Sequence, residues 1–436
     1  MFSRREIMLN KMKSRLSAAK AGYAGKVYRF LIVVPILITL IVVMTSGCEY
    51  DVAEPQWDKT GFSLPESSPA INSINPPEGV AGVNVITIVG ENFDLVPNSN
   101  ILLDIPKVVV ISPEIVEKTP TSITIRRPNL VTDSLFVKVW GDSGLVEKFG
   151  PYKIDPVLEQ YGSFLENQQL GALAVDNAEN LYVAISITPF TINKVTPDGQ
   201  KTIFKDTLPS PPAVAPTDVK IGTDGSLYIL RSNRLIQRAN PTTGEVSSWH
   251  NLRTNRQLRV GDFDADGYFY AGGSRTSLWV IAPDSTSEEK SDLYPASAGD
   301  TILAIHVHNE GATEYLYLMF ASAAGRFIAR HLIGSGGSLG TQEVIVDFAQ
   351  FLSPVARDFT FALDGTIFIS IDGIYPLITY NPGTGKFDYF YKNILPPYAK
   401  QINWGTGDYL YMISGNLTPA QNWTVYRVDM GMTAAP

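Results

Sequence analysis

Asp218, Asp262, His306, Asp358 and Gln401 share a position: each stands roughly ten residues ahead of an aromatic residue, respectively Tyr228, Tyr270, Tyr317, Phe368 and Tyr411. Ala172 holds that position ahead of Tyr182, and Arg259, Arg357 and Lys400 are close by in the chain. If equivalent strands carry these residues to one rim, that rim is polar and can hold a ligand. Carboxylates facing each other across it would suit the acid and base of glycoside chemistry. Oxygen ligands gathered there would suit a divalent cation. The same residues serve equally well to cap strand ends or to hold water in a channel. Other chemistry has no signature here. There is no Gly-x-Ser-x-Gly elbow, phosphate loop, metal-spaced histidine set or cysteine nucleophile. The four histidines are His250, His306, His308 and His331, and His306 and His308 alternate on one stretch. Asp264-x-Asp266-Gly267 looks like the start of a calcium loop but lacks the downstream ligands. No catalytic residue, metal or cofactor is assigned.

The elements that must position these residues are a repeat. Ala178–Val183 returns as Thr223–Ile229 and as Ala265–Ala271, with weaker copies around Tyr317, Phe368 and Tyr411. The last aromatic of each copy falls at 182, 228, 270, 317, 368 and 411, a period of 42 to 51 residues. Six turn-plus-strand units at that period predict a β-propeller with one repeat per blade. Unit one is complete: an inner strand at Gly171–Asp176, a turn at Asn177–Asn180, a second strand at Leu181–Ile185, a third leading into Pro197-Asp198-Gly199, and an outer strand at Lys201–Phe204. This unit resembles an NHL repeat, which implies a six-bladed propeller, expected over 155–432. The last unit stops without an outer strand, and Leu158–Phe164 has no blade of its own. That stretch is expected to complete blade six and so remove an exposed sheet edge.

Composition agrees with an all-β chain and gives an address. Charged residues are 18% of the 436 and aromatics 11%, with 35 Gly and 29 Pro. Residues 1–47 carry eight bases and one acid, which leaves 27 bases against 42 acids, about −15, for the remainder. An acidic surface argues against nucleic acid as a partner. The basic start leads into an apolar run, Phe30–Met44, of signal-peptide length, and then Thr45-Ser46-Gly47-Cys48. Small residues ahead of a cysteine resemble the bacterial lipobox. The resemblance implies removal of residues 1–47, acylation of Cys48 and a protein anchored by lipid to the cell envelope, at the outer membrane or cell surface. Cys48 is the sole cysteine, so no disulfide framework is possible. An uncleaved N-terminal anchor is the alternative. Residues 48–68 read as a tether.

Between tether and repeats, Pro76-Pro77, the alternating Val85–Val89 and Gly90-Glu91-Asn92-Phe93 open a second pattern. Together they resemble an IPT/TIG domain, which implies a small immunoglobulin-like β-sandwich over 69–154, with Phe93 and Trp140 expected in its core. In that family the module is a spacer or binding unit, and no ligand residue carries over. The predicted fold is therefore all-β: a sandwich followed by a six-bladed propeller.

The loops between propeller strands are rich in Pro, Tyr and amides, as at Pro209–Pro216, Tyr375, Tyr398 and Asn416–Trp423. Aromatics flanked by amides suit stacking on sugar rings and also ordinary loop packing. Trp249, Trp279 and Trp423 are expected to pack between blades. The expected function is a membrane-anchored envelope binding protein whose propeller presents a loop-lined face to a polysaccharide or a protein partner. Its candidate ligand residues are Asp218, Asp262, His306, Arg357, Asp358, Tyr375, Tyr398 and Gln401. A propeller enzyme acting on polysaccharide or lactone through the rim carboxylates, and a structural scaffold of an envelope complex, remain as alternatives.

Overall fold

Period-two alternation builds the N-terminal strands, continuous apolar runs such as Leu181–Ile185 and Leu227–Leu230 build the interior ones of the repeats, and no α-helix occurs among the described residues. The computed structural model describes residues 68–93, 101–140, 146–165, 167–210, 212–252, 257–294, 300–323, 325–350, 355–417 and 420–435. The expected signal peptide, Cys48 and the tether through residue 67 lie outside the described residues. No described helix is long and apolar enough to cross a membrane.

Two four-stranded antiparallel sheets come first. One runs Ala70–Asn75, Val85–Glu91, Ser122–Arg126, Ile115–Lys118 across the sheet. The other runs Val109–Ile111, Ile101–Ile105, Thr132–Trp140, Val146–Ile154. Their inward residues, among them Ile86, Ile88, Leu103, Ile123, Val137 and Val139, form one core. The Gly90-Glu91-Asn92-Phe93 motif has a steric reason. A Cβ on Gly90 would stand 2.4 Å from the Phe93 ring and 2.0 Å from the Ala70 carbonyl oxygen. Asn92 takes a left-handed φ of 57°, which its short amide tolerates. Phe93 thereby folds back into the core. Trp140 does not join it. Leu135, Val137 and Val139 take the inward positions of their strand, so alternation leaves Trp140 half-buried on the outer face.

Six further antiparallel sheets follow, one per repeat. Each begins with an inner strand: Leu170–Val175, Asp218–Ile221, Leu258–Phe263, Thr301–Glu310, Val355–Phe361 and Ala399–Trp404. Each inner strand packs on the next, and the last packs on the first. This radial repetition is a β-propeller. The recurrent turn also has a chemical cause. Asp176, Asp224, Asp264 and Asp364 each accept a hydrogen bond from a backbone N–H of their own turn. The first three also accept the hydroxyl of the recurrent tyrosine, Tyr182, Tyr228 or Tyr270, at 2.9–3.3 Å. Asp264 is thus committed to its turn. Trp249, Trp279 and Trp423 pack in clusters between sheets, as expected.

Two contacts join the end of the chain to its beginning. Leu158–Gln160 pairs with the strand Ala420–Asp429 and becomes the outer strand of the sixth sheet, as its sequence position suggested. Glu179, in the first sheet's turn, accepts from Thr406 Oγ1 at 2.7 Å, from the Gly407 N–H at 3.0 Å and from the Thr406 N–H. The N-terminal sheets are fixed to the outer edge of the fifth sheet, whose last strand is Lys386–Tyr389, and to the end of the sixth. Tyr391 accepts from the Gly82 N–H at 2.6 Å and donates to the Asp429 carbonyl at 2.8 Å. Arg126 holds Asp388 through two bonds, at 2.7 and 3.0 Å.

Candidate functional site

The candidate residues occupy two tiers of the inner strands. Ala172, Asp218, Asp358 and Gln401 pair with Ala184, Leu230, Ser370 and Ile413, two residues beyond each recurrent aromatic. Asp262 and His306 instead pair with the aromatics themselves, Tyr270 and Tyr317. They therefore sit one tier further along, level with Lys220 and Asn403. Their spacings are eight and eleven residues, against ten for the others, and the unequal hairpins in between keep spacing alone from giving the tier. The single ring expected from the sequence is thus corrected to two.

The carboxylates brace the ring. Asp218 accepts from its neighbour Val219 N–H at 2.9 Å and from the Gly261 N–H of the next inner strand at 3.1 Å. Asp262 does the same with Phe263 and Val307, and Asp358 with Phe359 and Ile402. Gln401 Oε1 accepts from the Leu173 N–H at 3.0 Å, which carries the pattern across the seam. His306 Nε2 lies 3.0 Å from Asp358 Oδ1. The inner strands form no ladder with one another, so these side chains satisfy N–H groups that would otherwise be orphaned.

Above the first tier lies a chamber of about 70 Å³, lined by Asp218, His306, Arg357, Asp358, Lys400 and Gln401 among others. Five of the eight candidates therefore meet in one place. Asp218 is 2% exposed. Burial pushes its carboxyl up to about 6, with Lys220 opposing and Asp358 adding to the rise. Burial works to lower the Lys220 ammonium, but Asp262, Asp218 and Asp358 outweigh it and hold it above its usual value. Lys400 is perturbed in the opposite sense. Burial, reinforced by the like charges of Arg259 and Arg357, pulls it down to about 8. Lys220 was not among the candidates, although the sequence held a signal for it. Its place eight residues ahead of Tyr228 was the available one.

Asp262 lines a second, larger cleft of about 840 Å³ on the turn side, with Asp176, Asp264, Glu314 and Asn403. Lys220 and His306 reach both spaces. Among the described residues no three His, Cys, Asp or Glu side chains converge as metal ligands would.

No protein-family model matches the sequence, and no curated protein matches it. Solved structures of similar shape do exist. An auxiliary nutrient binding protein from Bacteroides thetaiotaomicron aligns over 83% of this chain and 98% of its own, with 10% identity and a TM-score of 0.47. A protein of unknown function from the same organism aligns over 84% and 98%, with 10% identity and a TM-score of 0.46. A gluconolactonase from Xanthomonas campestris aligns over 64% and 89%, with 11% identity and a TM-score of 0.48. At this distance none of them bears on what this chain does.

Tyr375 and Tyr398 line neither space. Antiparallel order puts their loops on the side where the inner strands begin, the side of the small chamber. Tyr375 packs edge-on against Tyr389 at 5.1 Å, with the Lys392 ammonium 5.0 Å from its ring. Tyr398 is half-buried, and its backbone bonds to Gly373 and Gly415. A residue the sequence reading passed over holds another loop of this face. Arg231, fully buried, donates to the carbonyls of Val214 and Pro209 at 2.6 and 2.8 Å and to Gln237 at 3.2 Å.

Proposed function

We propose that this chain is an exported, lipid-anchored binding protein of the cell envelope. Cys48 carries the anchor, residues 48–68 are a tether, 69–154 form an IPT/TIG-like sandwich and 155–432 form a six-bladed, NHL-like propeller. The six sheets are its blades, and the face on which the inner strands begin presents its chamber and loops to a glycan. The lipobox-like Thr45-Ser46-Gly47-Cys48 supports the anchor. The docking of the N-terminal sheets on the outer edge of the fifth sheet supports the sandwich as a rigid stand for the propeller.

One observation favours binding over catalysis. Asp218, Asp262 and Asp358 each accept two backbone N–H bonds, one from their own strand and one from the next inner strand. Carboxylates held in this way are poor nucleophiles and costly to move. A second reading, an enzyme acting on polysaccharide or lactone, draws on the raised Asp218, whose carboxyl is close to the range of a general acid. Affinity electrophoresis of the full-length protein in detergent separates the two. Polysaccharide that retards the protein and is recovered at full length supports binding. Shortened polymer makes the protein an enzyme. No retardation across a broad panel turns the search to protein partners and overturns the glycan reading.

A further inference from the structure

We propose that the small chamber is a subsite for the carboxylate of an acidic sugar, so that the glycan it takes is uronate-bearing. This rests on the glycan-binding reading and narrows it. The argument begins with charge. The chain has 43 acidic and 35 basic residues, yet the cations Arg357 and Lys400 line this one chamber, and a third, Arg259, stands at its mouth, where its carbonyl accepts from Thr217 of the lining at 2.8 Å. Among the described residues no hydrogen bond or ion pair engages the Arg259 guanidinium, which is exposed. Arg357 gives one nitrogen to Asp372 at 2.8 Å, while its Nε is buried with no partner. Lys400 spends one of its donors on the Leu170 carbonyl at 2.7 Å. The remaining donors and the mutual repulsion of the three cations both favour an anion.

Size and floor then choose among anions. The chamber, at about 70 Å³, is small beside the cleft of about 840 Å³ on the turn side. It admits a carboxylate but not a sugar ring, which must rest outside, among the loops. The floor is acidic. Asp218 accepts from Val219, Gly261 and Gln401, and Asp358 accepts from Phe359, Ile402 and His306. A carboxylate has about four acceptor sites, so each keeps one for a sugar hydroxyl. A doubly charged phosphate would face both carboxylates at short range in a poorly solvated space, where repulsion is strong. A single carboxylate flanked by hydroxyls meets cations and acceptors in the order the chamber offers them.

The test is calorimetric titration of the full-length protein in detergent with polygalacturonate, its methyl ester, dextran, free galacturonate and inorganic phosphate. The expected result is binding of polygalacturonate that falls about ten-fold or more on esterification, on Arg259→Gln and on Lys400→Met, and that weakens as salt rises. Because Arg259 is exposed, its variant keeps the fold even if Lys400→Met does not. Equal binding of acid, ester and dextran, indifference to both substitutions, or preference for phosphate over galacturonate overturns the carboxylate subsite and leaves glycan binding intact. Arg259-dependent binding of free galacturonate with no polymer bound keeps the subsite and overturns the glycan reading. No binding of any probe overturns both.

Discussion

Gln401 Nε2 donates to Asp218 Oδ1 at 3.1 Å, joining the sixth inner strand to the second over the first. The reach is possible because the first strand offers only Ala172 at the same level. Gln401 also accepts from the Leu173 N–H, so one amide closes the polar tier across the seam. Gln401→Leu keeps the volume and removes both bonds. It is expected to cost about 1–3 kcal/mol, the usual penalty for buried groups left unpaired. Urea denaturation measures this. A midpoint equal to the parent's would mean that the amide does not hold the seam.

How much of this was legible in the sequence can be judged from single residues. The Asp-Gly turns and the tyrosines after them were legible because each turn solves one local problem, an acid capping its own backbone. The orphan strand at Leu158–Gln160 was legible because the last repeat lacked a partner. The tier of each rim residue was not. The fourth inner hairpin is longer, running Thr301–Glu310 into Thr313–Ser322, and this shifts His306 relative to its aromatic. Trp140 was misplaced because its size suggested a core, while its register, set by Val139, put it outside. The bracing of one strand by the next strand's carboxylate joins residues over forty positions apart, such as Asp218 and Gly261, and no local pattern records it.

Asp218 sets a pH dependence of definite sign. Its carboxyl titrates near 6 in the folded chain, against 3.8 for a solvated aspartate. Between those values the folded state binds more protons than the unfolded one, so this group's contribution falls as pH rises. Its stabilising effect is complete below about 4 and is gone above about 6, a difference on the order of 3 kcal/mol. Asp218→Asn should remove that part of the slope. Urea midpoints at pH 4.5 and 7 for parent and variant give the comparison, and identical slopes would show that Asp218 titrates normally.

Arg231 is expected to order the loop above the chamber. Its guanidinium holds the carbonyls of Pro209 and Val214 from a fully buried position. Arg231→Met strands three acceptors, the carbonyls of Pro209 and Val214 and the Gln237 amide oxygen, and is expected to cost about 2–4 kcal/mol. Hydrogen exchange over residues 212–217 should quicken well beyond the global change, and uniform quickening over the whole propeller would argue against a local role.

The joint between the N-terminal sheets and the propeller makes the last prediction. Tyr391 is 1% exposed and its hydroxyl bonds on both sides, to Gly82 and to Asp429. Arg126 and Asp388, nearer the solvent, add a bidentate pair worth only about 1 kcal/mol or less at such exposure. The hydroxyl is therefore the stronger link, and losing it removes the partner of a half-buried N–H at Gly82 and of a half-buried carbonyl at Asp429. Tyr391→Phe should cost about 1–3 kcal/mol, whereas Asp388→Asn should cost less. If the hydroxyl couples the two parts, calorimetry of Tyr391→Phe should resolve one melting transition into two, with the N-terminal sheets released first. A single transition lowered as a whole would mean that the sheets and the propeller unfold together by other contacts, with Gly82 packed against Met430 and Gly431 as the next place to look.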